Sequence, residues 1–299
     1  MRIINCTLPR NCNIFLFGDD HEGAALRHNK GFEQLVDKIN SDYGGLKHTR
    51  NFAVDHGDCI EGITIDDKRY HFFETKERSI LQQIENAKKH RKHIAKKLLV
   101  GLDGNHPFKL SRTIGNISQQ VYQGTEGNPS YLRVPYGTWA CVLVYKDKLG
   151  FVMFRHYATH GFGSITSQAK DVDQELANKL ALLKKKLKKK VGNALLMSMG
   201  HTHQLLVNRP KKRLVINEVY GSLEASHSSN SIVNSDNEIP PDDRYYVNTG
   251  SFLKQFDLKS GDHFSGYAER AGYDPIELGF AVCRVRDGNI ADIDEVFLE

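Results

Sequence analysis

Acidic, amide and histidine side chains recur in five short segments of this sequence, and each segment also contains glycine. In chain order these are Gly18-Asp19-Asp20-His21-Glu22-Gly23, Asp55-His56-Gly57-Asp58-Cys59-Ile60-Glu61-Gly62, Asp103-Gly104-Asn105-His106, Arg155-His156-Tyr157-Ala158-Thr159-His160-Gly161 and Gly200-His201-Thr202-His203. Carboxylates, amide oxygens and imidazoles are ligands of hard and borderline divalent metals. Glycine permits the tight turns that aim such ligands inward. Five such segments together indicate a metal site, which a single Asp or His would not.

Each of these segments follows a short apolar run rich in β-branched, aromatic or leucine residues. The runs are Asn13–Phe17, Phe52–Val54, Leu98–Leu102, Phe151–Phe154 and Leu195–Met199, and each predicts a strand. In α/β proteins, sites form beyond the carboxyl ends of such strands. We therefore expect the polar segments to meet at one edge of a sheet, where two metal ions about 4 Å apart would share one carboxylate.

The order of these motifs resembles that of the calcineurin-like metallophosphoesterases: DxH, GDxxE, GNH, a later THG and GHTH. The motifs extend from Asp19 to His203, about two-thirds of the chain. The resemblance implies two divalent metal ions, Mn²⁺ foremost with Fe or Zn²⁺ as alternatives. Such a pair activates water for the hydrolysis of a phosphoester.

Residue by residue, the resemblance assigns seven metal ligands and one catalytic histidine. The first metal would take Asp19, His21 and His203, the second Asn105, His160 and His201, and Asp58 would bridge the two. His106, in the GNH motif, would act as general acid or stabilise charge on the phosphate. Two positions depart from the pattern: Glu61 closes the GD motif in place of Asp, and Pro107 follows GNH in place of an acid. Glu61 is expected to orient His106 without binding metal.

The expected substrate is a phosphodiester, as for a phosphodiesterase or nuclease. The family's protein phosphatases carry Arg just after the GD motif and just before GNH to hold a phosphomonoester dianion, whereas this chain has Gly62 and Asp103 there. A phosphomonoesterase acting on protein or small molecules is the alternative. Two others stay open: a metal-binding scaffold with little turnover, because of Glu61 and Pro107, and a mononuclear zinc hydrolase.

Helical periodicity lies between the predicted strands. Apolar residues recur every three or four positions in 32–39, 80–94 and 176–191, which predicts three amphipathic helices. Further strands are predicted at Cys141–Tyr145 and Leu214–Asn217, with a hairpin loop at 146–150. The fold class is therefore α/β, with mixed sheets in a two-sheet sandwich flanked by helices. We expect one domain over 1–299, comprising a motif-bearing core, 13–205, and a β-rich C-terminal part, 206–299.

Some segments are expected to be structural or irregular. Residues 111–137 contain many Gly, Asn, Ser and Gln residues. Residues 222–243 are polar, rich in Ser and Asn and end near two prolines, which predicts a mobile surface loop. Residues 248–251 predict a turn entering a strand. Asp20, His56 and His156 flank ligand positions without matching one, so they are expected to be structural neighbours of the site.

The 299-residue chain has a net charge of +5, and its lysines concentrate in Lys184–Lys190. This run fits either the solvated face of a helix whose leucines pack inward or a patch that attracts nucleic acid or phosphate. No aromatic residue interleaves with these lysines, so base stacking is not predicted there. The expected partner is a phosphoester substrate, with nucleic acid as one candidate.

No apolar run approaches the roughly 20 residues that span a bilayer. The sequence also lacks the pattern of a signal peptide, and its five cysteines are scattered. These features predict a cytoplasmic protein with no membrane partner, and they leave the oligomeric state open.

Overall fold

The computed structural model describes residues 1–123, 134–136, 138–219, 222–228, 237–256 and 266–298. Its strands are β1 (Arg2–Thr7), β2 (Cys12–Phe17), β3 (Asn51–Asp55), β4 (Leu98–Gly101), β5 (Ala140–Lys146), β6 (Val152–Thr159), β7 (Leu196–Met199), β8 (Leu205–Asn208), β9 (Arg213–Val219), β10 (Ser222–Ser228), β11 (Tyr245–Thr249), β12 (Gly279–Arg286) and β13 (Asn289–Phe297). Its helices are α1 (Asn29–Asn40), α2 (Ile80–Lys92), α3 (Asn105–Lys109), α4 (Ser111–Ile114), α5 (Ile117–Tyr122), α6 (Val172–Leu187) and α7 (Tyr267–Arg270).

The strands form two mixed sheets and a separate hairpin. The six-stranded sheet has the order β1-β5-β6-β7-β11-β8, the five-stranded sheet has the order β13-β12-β2-β3-β4, and β9 pairs with β10. Parallel pairs, such as β2 with β3, occur beside antiparallel ones, such as β5 with β6. The predicted layered α/β class is confirmed.

The fold has four layers in the order helices, sheet, sheet and helix, and buried side chains pack between them. Leu16 of β2 lies in the core between the two sheets. On the opposite face of β2, Phe17 packs with Phe32 of α1. On the outer face of the six-stranded sheet, Met197 packs with Leu187 of α6. Because β2 is buried on both faces, apolar residues follow one another over 14–17 without alternation.

Helix α6 shows how the lysine run is accommodated. Asp171 caps its first turn by accepting a hydrogen bond from the backbone N–H of Gln174 at 2.8 Å. Acidic side chains lie in the first turn and lysines in the last, as the helix dipole favours. Leu183 and Leu187 are fully buried, so the leucines of the run pack inward as expected. No helix in the described part of the chain is long and apolar enough to cross a membrane.

Two segments predicted to be irregular are partly regular. Residues 111–137 contain α4 and α5, and Asn116 caps α5 through a hydrogen bond from the N–H of Gln119 at 2.8 Å. Ser222–Ser228 forms β10, so the prediction of a loop there is wrong. Antiparallel pairing with β9 supplies the backbone hydrogen bonds of this polar strand, and pairing overrides its weak intrinsic propensity. Residues 229–236 lie outside the described residues.

Candidate metal centre

The predicted ligands converge at one edge of the sandwich because five strands end there. Asp19 follows β2, Asp58 follows β3 and Asn105 follows β4, all from the five-stranded sheet. His160 follows β6 and His201 follows β7, both from the six-stranded sheet. Each sheet therefore contributes to the same small volume.

The backbone at this edge is strained at the ligand positions. Five of the predicted ligands have left-handed φ angles: Asp19 (52°), His21 (49°), Asp58 (47°), His201 (71°) and His203 (61°). In the rest of the described chain, only Asp287 is a non-glycine residue with positive φ. Such conformations cost on the order of 1 kcal/mol each and cluster at functional sites. These left-handed backbone conformations direct the side chains of the five residues from the loops toward the site.

The first group of ligands comprises Asp19, His21 and His203. The two imidazole Nε2 atoms lie 3.2 Å apart, and Nε2 of His203 lies 3.5 Å from Oδ1 of Asp19. This Oδ1 is buried without a hydrogen-bond partner. An unpaired buried carboxylate oxygen is costly unless something cationic meets it, so the donor set fits a divalent ion.

The second group comprises Asn105, His160 and His201. Oδ1 of Asn105 lies 2.9 Å from Nε2 of His160 and 2.8 Å from Nδ1 of His201. The other ring nitrogen of His160, Nδ1, donates to the carbonyl oxygen of His56 at 2.8 Å. That bond holds Nε2 toward the site, as expected for a metal-binding imidazole.

Asp58 lies between the two groups. Its Oδ2 is 3.9 Å from Nε2 of His21 and 3.3 Å from Nε2 of His160. Its Oδ1 accepts the backbone N–H of His106 at 3.0 Å. The carboxylate of Asp58 therefore lies between the two groups of candidate ligands.

Glycines make room for these carboxylates. A Cβ at Gly104 would lie 2.1 Å from Oδ1 of Asp58, and a Cβ at Gly200 would lie 2.6 Å from Oδ2 of Asp19. Both distances are shorter than any tolerated contact. Only glycine allows the backbone to approach the two acids so closely.

Glu61 contacts both of the histidines beside it. Its carboxylate Oε2 accepts from Nδ1 of His21 at 2.8 Å, and it lies 3.7 Å from Nδ1 of His106. Nδ1 of His106 donates to the backbone carbonyl oxygen of Glu61. The longer acid therefore orients His21 through its carboxylate, while its main chain holds His106.

Sequence reasoning missed Arg69. Its Nη1 lies 3.2 Å from Nε2 of His106. Asp67 fixes the guanidinium through Oδ2, 3.0 Å from Nη2, and Lys109 binds the same carboxylate at 2.5 Å. Arg69 is eight residues beyond Glu61 in an irregular segment, so no motif spacing signalled it.

Protonation differs among the histidines. Burial opposes charge on His21, but its hydrogen bond to Glu61 and the nearby carboxylates raise its pKa to about 9. Burial also opposes charge on His160, yet the carboxylate of Asp58 raises its pKa to about 9. Burial and the charge on His160 lower the pKa of His201 to about 4. Burial, with Asp58 nearby, raises the pKa of Asp19 to about 7.

A buried hydrogen-bonded relay lies behind the site and joins the two sheets. Its links are Tyr145 OH to His156 Nδ1 (3.0 Å), His156 Nε2 to Ser198 Oγ (2.5 Å), Ser198 Oγ to His56 Nε2 (2.6 Å) and His56 Nδ1 to Phe17 O (3.1 Å). A carbonyl only accepts, so His56 Nδ1 carries a proton. Burial lowers the pKa of His56 to about 4, so its Nε2 accepts from Ser198. Ser198 then accepts from His156, which accepts from Tyr145, and every proton points toward Phe17.

A second buried network fixes the loops of Asp19 and Asp58 from the helix side. Arg91 of α2, fully buried, donates from Nε to Asp55 at 2.8 Å and from Nη1 to Asp20 at 3.0 Å. Arg27 donates to the other oxygen of Asp20 at 2.7 Å. Asp20 therefore faces away from the ligands, and His56 and His156 belong to the relay. All three are neighbours of the site, as predicted.

The segment 248–251 differs from its prediction. Asn248 and Thr249 are the last residues of β11 and do not lead into a strand. Oγ of Ser251 donates to the backbone oxygen of Asp19 at 3.0 Å. The loop after β11 therefore supports the first ligand.

Five of the predicted ligands line a cleft of about 670 Å³: His21, Asp58, Asn105, His201 and His203. Its walls also include Arg69, Lys179 of α6 and the segment around Tyr273. Cys59, beside Asp58, is fully buried, and burial raises its thiol pKa. A thiol that resists ionisation is a poor ligand, so the site has only oxygen and nitrogen donors.

Comparison with known proteins adds little to this geometry. The sequence matches no known protein family and no curated protein. Among solved structures, one described as "Crystal structure of a putative diadenosine tetraphosphatase" aligns over 99% of this chain and 97% of that chain, with 12% identity and a TM-score of 0.32. This likeness is too weak to indicate an activity.

Proposed function

We propose that this chain hydrolyses phosphoesters with a metal-activated water held between its two ligand groups. The observation that carries the proposal is the position of Asp58 between two donor sets, one of which contains the unpaired Oδ1 of Asp19. Two divalent ions bound there would supply Lewis acidity and a hydroxide at neutral pH. Mixed oxygen and nitrogen donors without thiolate suit Mn²⁺ first, with Fe or Zn²⁺ as alternatives.

The residues around the ligands have separate tasks in this proposal. Asp19, His21 and His203 would hold one ion, Asn105, His160 and His201 the other, and Asp58 would bridge them. Glu61 orients His21 for binding through Nε2. His106 lines the cleft, with its Nε2 3.2 Å from Nη1 of Arg69. Once protonated at Nε2, it would donate a hydrogen bond to the phosphate or a proton to the leaving oxygen.

A phosphodiester is the preferred substrate because the cleft continues well beyond the ligands. A volume of about 670 Å³ leaves room for ester groups on both sides of a phosphate. One observation favours a second candidate, a phosphomonoesterase: Arg69 supplies a cation beside His106, which fits the extra charge of a monoester dianion.

The test compares hydrolysis of bis-(p-nitrophenyl) phosphate with that of p-nitrophenyl phosphate in Mn²⁺. We expect faster turnover of the diester. His106→Ala should lower kcat by about 10²–10⁴-fold if His106 takes part in proton transfer. Faster turnover of the monoester, with a larger loss for the monoester in Arg69→Ala, would establish the second candidate. No hydrolysis with Mn²⁺, Fe²⁺ or Zn²⁺ would overturn both.

A further inference from the structure

An exposed surface begins at the second ligand group and runs toward the end of α6. We call Phe108, Trp139, Phe162, Lys186 and Lys190 the aromatic–lysine surface. The ring of Trp139 packs edge-on against the ligand His160, 5.4 Å between centroids, and against Phe108, 5.9 Å. Trp139 Nε1 donates to the carbonyl oxygen of Gly161 at 2.9 Å. The aromatic side chains are therefore contiguous with the metal centre.

Phe162 extends this surface to the lysine run. Nζ of Lys186 lies 4.6 Å from the centroid of the Phe162 ring, and Nζ of Lys190 lies 5.0 Å from it. Lys186 also donates to the carbonyl oxygen of Phe162 at 2.8 Å. The lysine run has no aromatic residue within it, but the fold brings one between two of its ammonium groups.

The surface is open and positively charged. Phe108 is 57% exposed and Phe162 is 41% exposed, so solvent and a binding partner can reach both rings. Lys184 pairs with Asp242 and Lys179 with Glu175. Within the described ranges, by contrast, neither Lys186 nor Lys190 forms an ion pair with a carboxylate. These two ammonium groups are available to an anionic partner.

We propose that the aromatic–lysine surface binds single-stranded nucleic acid and leads its backbone to the metal centre. Unpaired bases have free faces that stack on exposed rings, at about 1–3 kcal/mol per base, and lysines bind the phosphates between them. A duplex hides those faces, so the surface favours single strands and is tolerant of sequence. The inference rests on the proposed function for its consequence, cleavage, but not for binding.

The test measures binding without hydrolysis. Fluorescence anisotropy in EDTA would follow fluorescein-labelled oligonucleotides of about 15 nucleotides, within the usual footprint of such surfaces, as single-stranded DNA, single-stranded RNA and duplex DNA. We expect at least one single strand to bind about tenfold more tightly than the duplex. Phe162→Ala should weaken that binding by about 5–100-fold, as loss of one stacked base would. Lys186→Ala with Lys190→Ala should reduce the salt slope by about 1.4, for two phosphate contacts.

A matched control lies at the far end of the same strands. Phe151, 68% exposed, and Lys148, also exposed, belong to the β5–β6 hairpin. The pairing of Ala140 with Thr159 and of Lys146 with Val152 places this hairpin at the opposite end from His160. Phe151→Ala with Lys148→Ala should leave binding unchanged.

The outcomes separate the two proposals. Two results would overturn the proposal that the aromatic–lysine surface binds single strands. One is equal affinity for single strands and duplex, and the other is single-strand binding that is unaffected by Phe162→Ala and by the double lysine variant. Oligonucleotide binding that depends on these residues, with no hydrolysis of bis-(p-nitrophenyl) phosphate, upholds the surface and overturns the proposed function. Hydrolysis without oligonucleotide binding does the reverse.

Discussion

At the scale of single residues, the site is defined by how closely backbone and carboxylates approach. Asp19 and Asp58 each sit against a glycine that has no space for a methyl group. Asp19 also retains an unpaired oxygen in a buried setting. Both features lower the stability of the folded protein without metal, and metal binding would offset this loss.

Gly104→Ala tests the approach to Asp58. The new Cβ would lie 2.1 Å from Oδ1 of Asp58, so the bridging carboxylate must move. A displacement of that kind is expected to lower kcat/KM by about 100-fold, since a shift near 1 Å costs that much. Gly192→Ala, whose Cβ meets nothing nearer than 3.5 Å, is the control. Equal activity of the two variants would show that Asp58 is not displaced or not needed.

Metal binding should release protons. In the metal-free site, His21 and His160 have pKa values raised to about 9, so both are charged at pH 7.5 and each holds a proton on the Nε2 that a metal needs. Because the pKa values of both histidines are raised, protons compete with the metal for their Nε2 atoms increasingly as the pH falls below 9. The metal affinity should therefore fall as the pH falls. Calorimetric titration of Mn²⁺ in Pipes and in Tris should give heats that differ by roughly two ionisations for a filled site. Buffer-independent heats would contradict this assignment.

At the scale of elements, each strand end delivers one or two ligands, and buried polar side chains fix the loops from behind. Arg91 of α2 ties the loops after β2 and β3 together through Asp20 and Asp55. Ser198 of β7 links His56 and His156 across the sandwich. The loops that contain the predicted ligands are therefore held from behind by side chains that are not themselves predicted ligands.

Arg91→Met should be strongly destabilising. It leaves Asp20 and Asp55 buried with less compensating charge, and breaking a buried ion pair typically costs about 3–5 kcal/mol. Urea denaturation followed by circular dichroism measures the change in the free energy of unfolding. The exposed Arg50 is a control, since Arg50→Met should change stability by less than about 0.5 kcal/mol. A similarly small change for Arg91→Met would mean that the two acids are neutral in the folded chain.

The sequence predicted these elements unevenly, for physical reasons. Strands that carry ligands were predictable because β2, β3 and β4 are buried apolar runs followed at once by polar residues and glycine. The strand β10 was not predictable, because its sequence is mostly polar and rich in serine, and pairing with β9 makes it a strand. The contact of Arg69 with His106 was not predictable from the sequence either, because Arg69 lies in an irregular segment whose path depends on Asp67 and Lys109. The direction of the Glu61 side chain, toward His21, also depends on packing.

At the scale of the whole molecule, the candidate metal centre lies between two sheets. Asp19, His21, Asp58 and Asn105 come from one sheet, and His160, His201 and His203 from the other. Ions bound between them would therefore resist separation of the sheets. Stability and metal binding should be linked through the whole fold.

Mn²⁺ should raise the unfolding temperature. Binding at 100 times the dissociation constant would add about 2.7 kcal/mol of stability for each ion. Scanning calorimetry with and without Mn²⁺ measures the shift, and Asp58→Asn, which keeps the size of the side chain, should remove most of it. A shift of the same size in Asp58→Asn would place the stabilising ion somewhere other than between the two groups.

The pairing of β2 with β12 has a consequence for how the protein is made. Phe15 lies opposite Val282 in the register of these strands, so the strand that leads to Asp19 acquires this neighbour only after more than 260 further residues have left the ribosome. Contacts so distant along the chain form late and slowly. The site would therefore be incomplete while the chain is being synthesised, and the metal ions would bind after folding is complete.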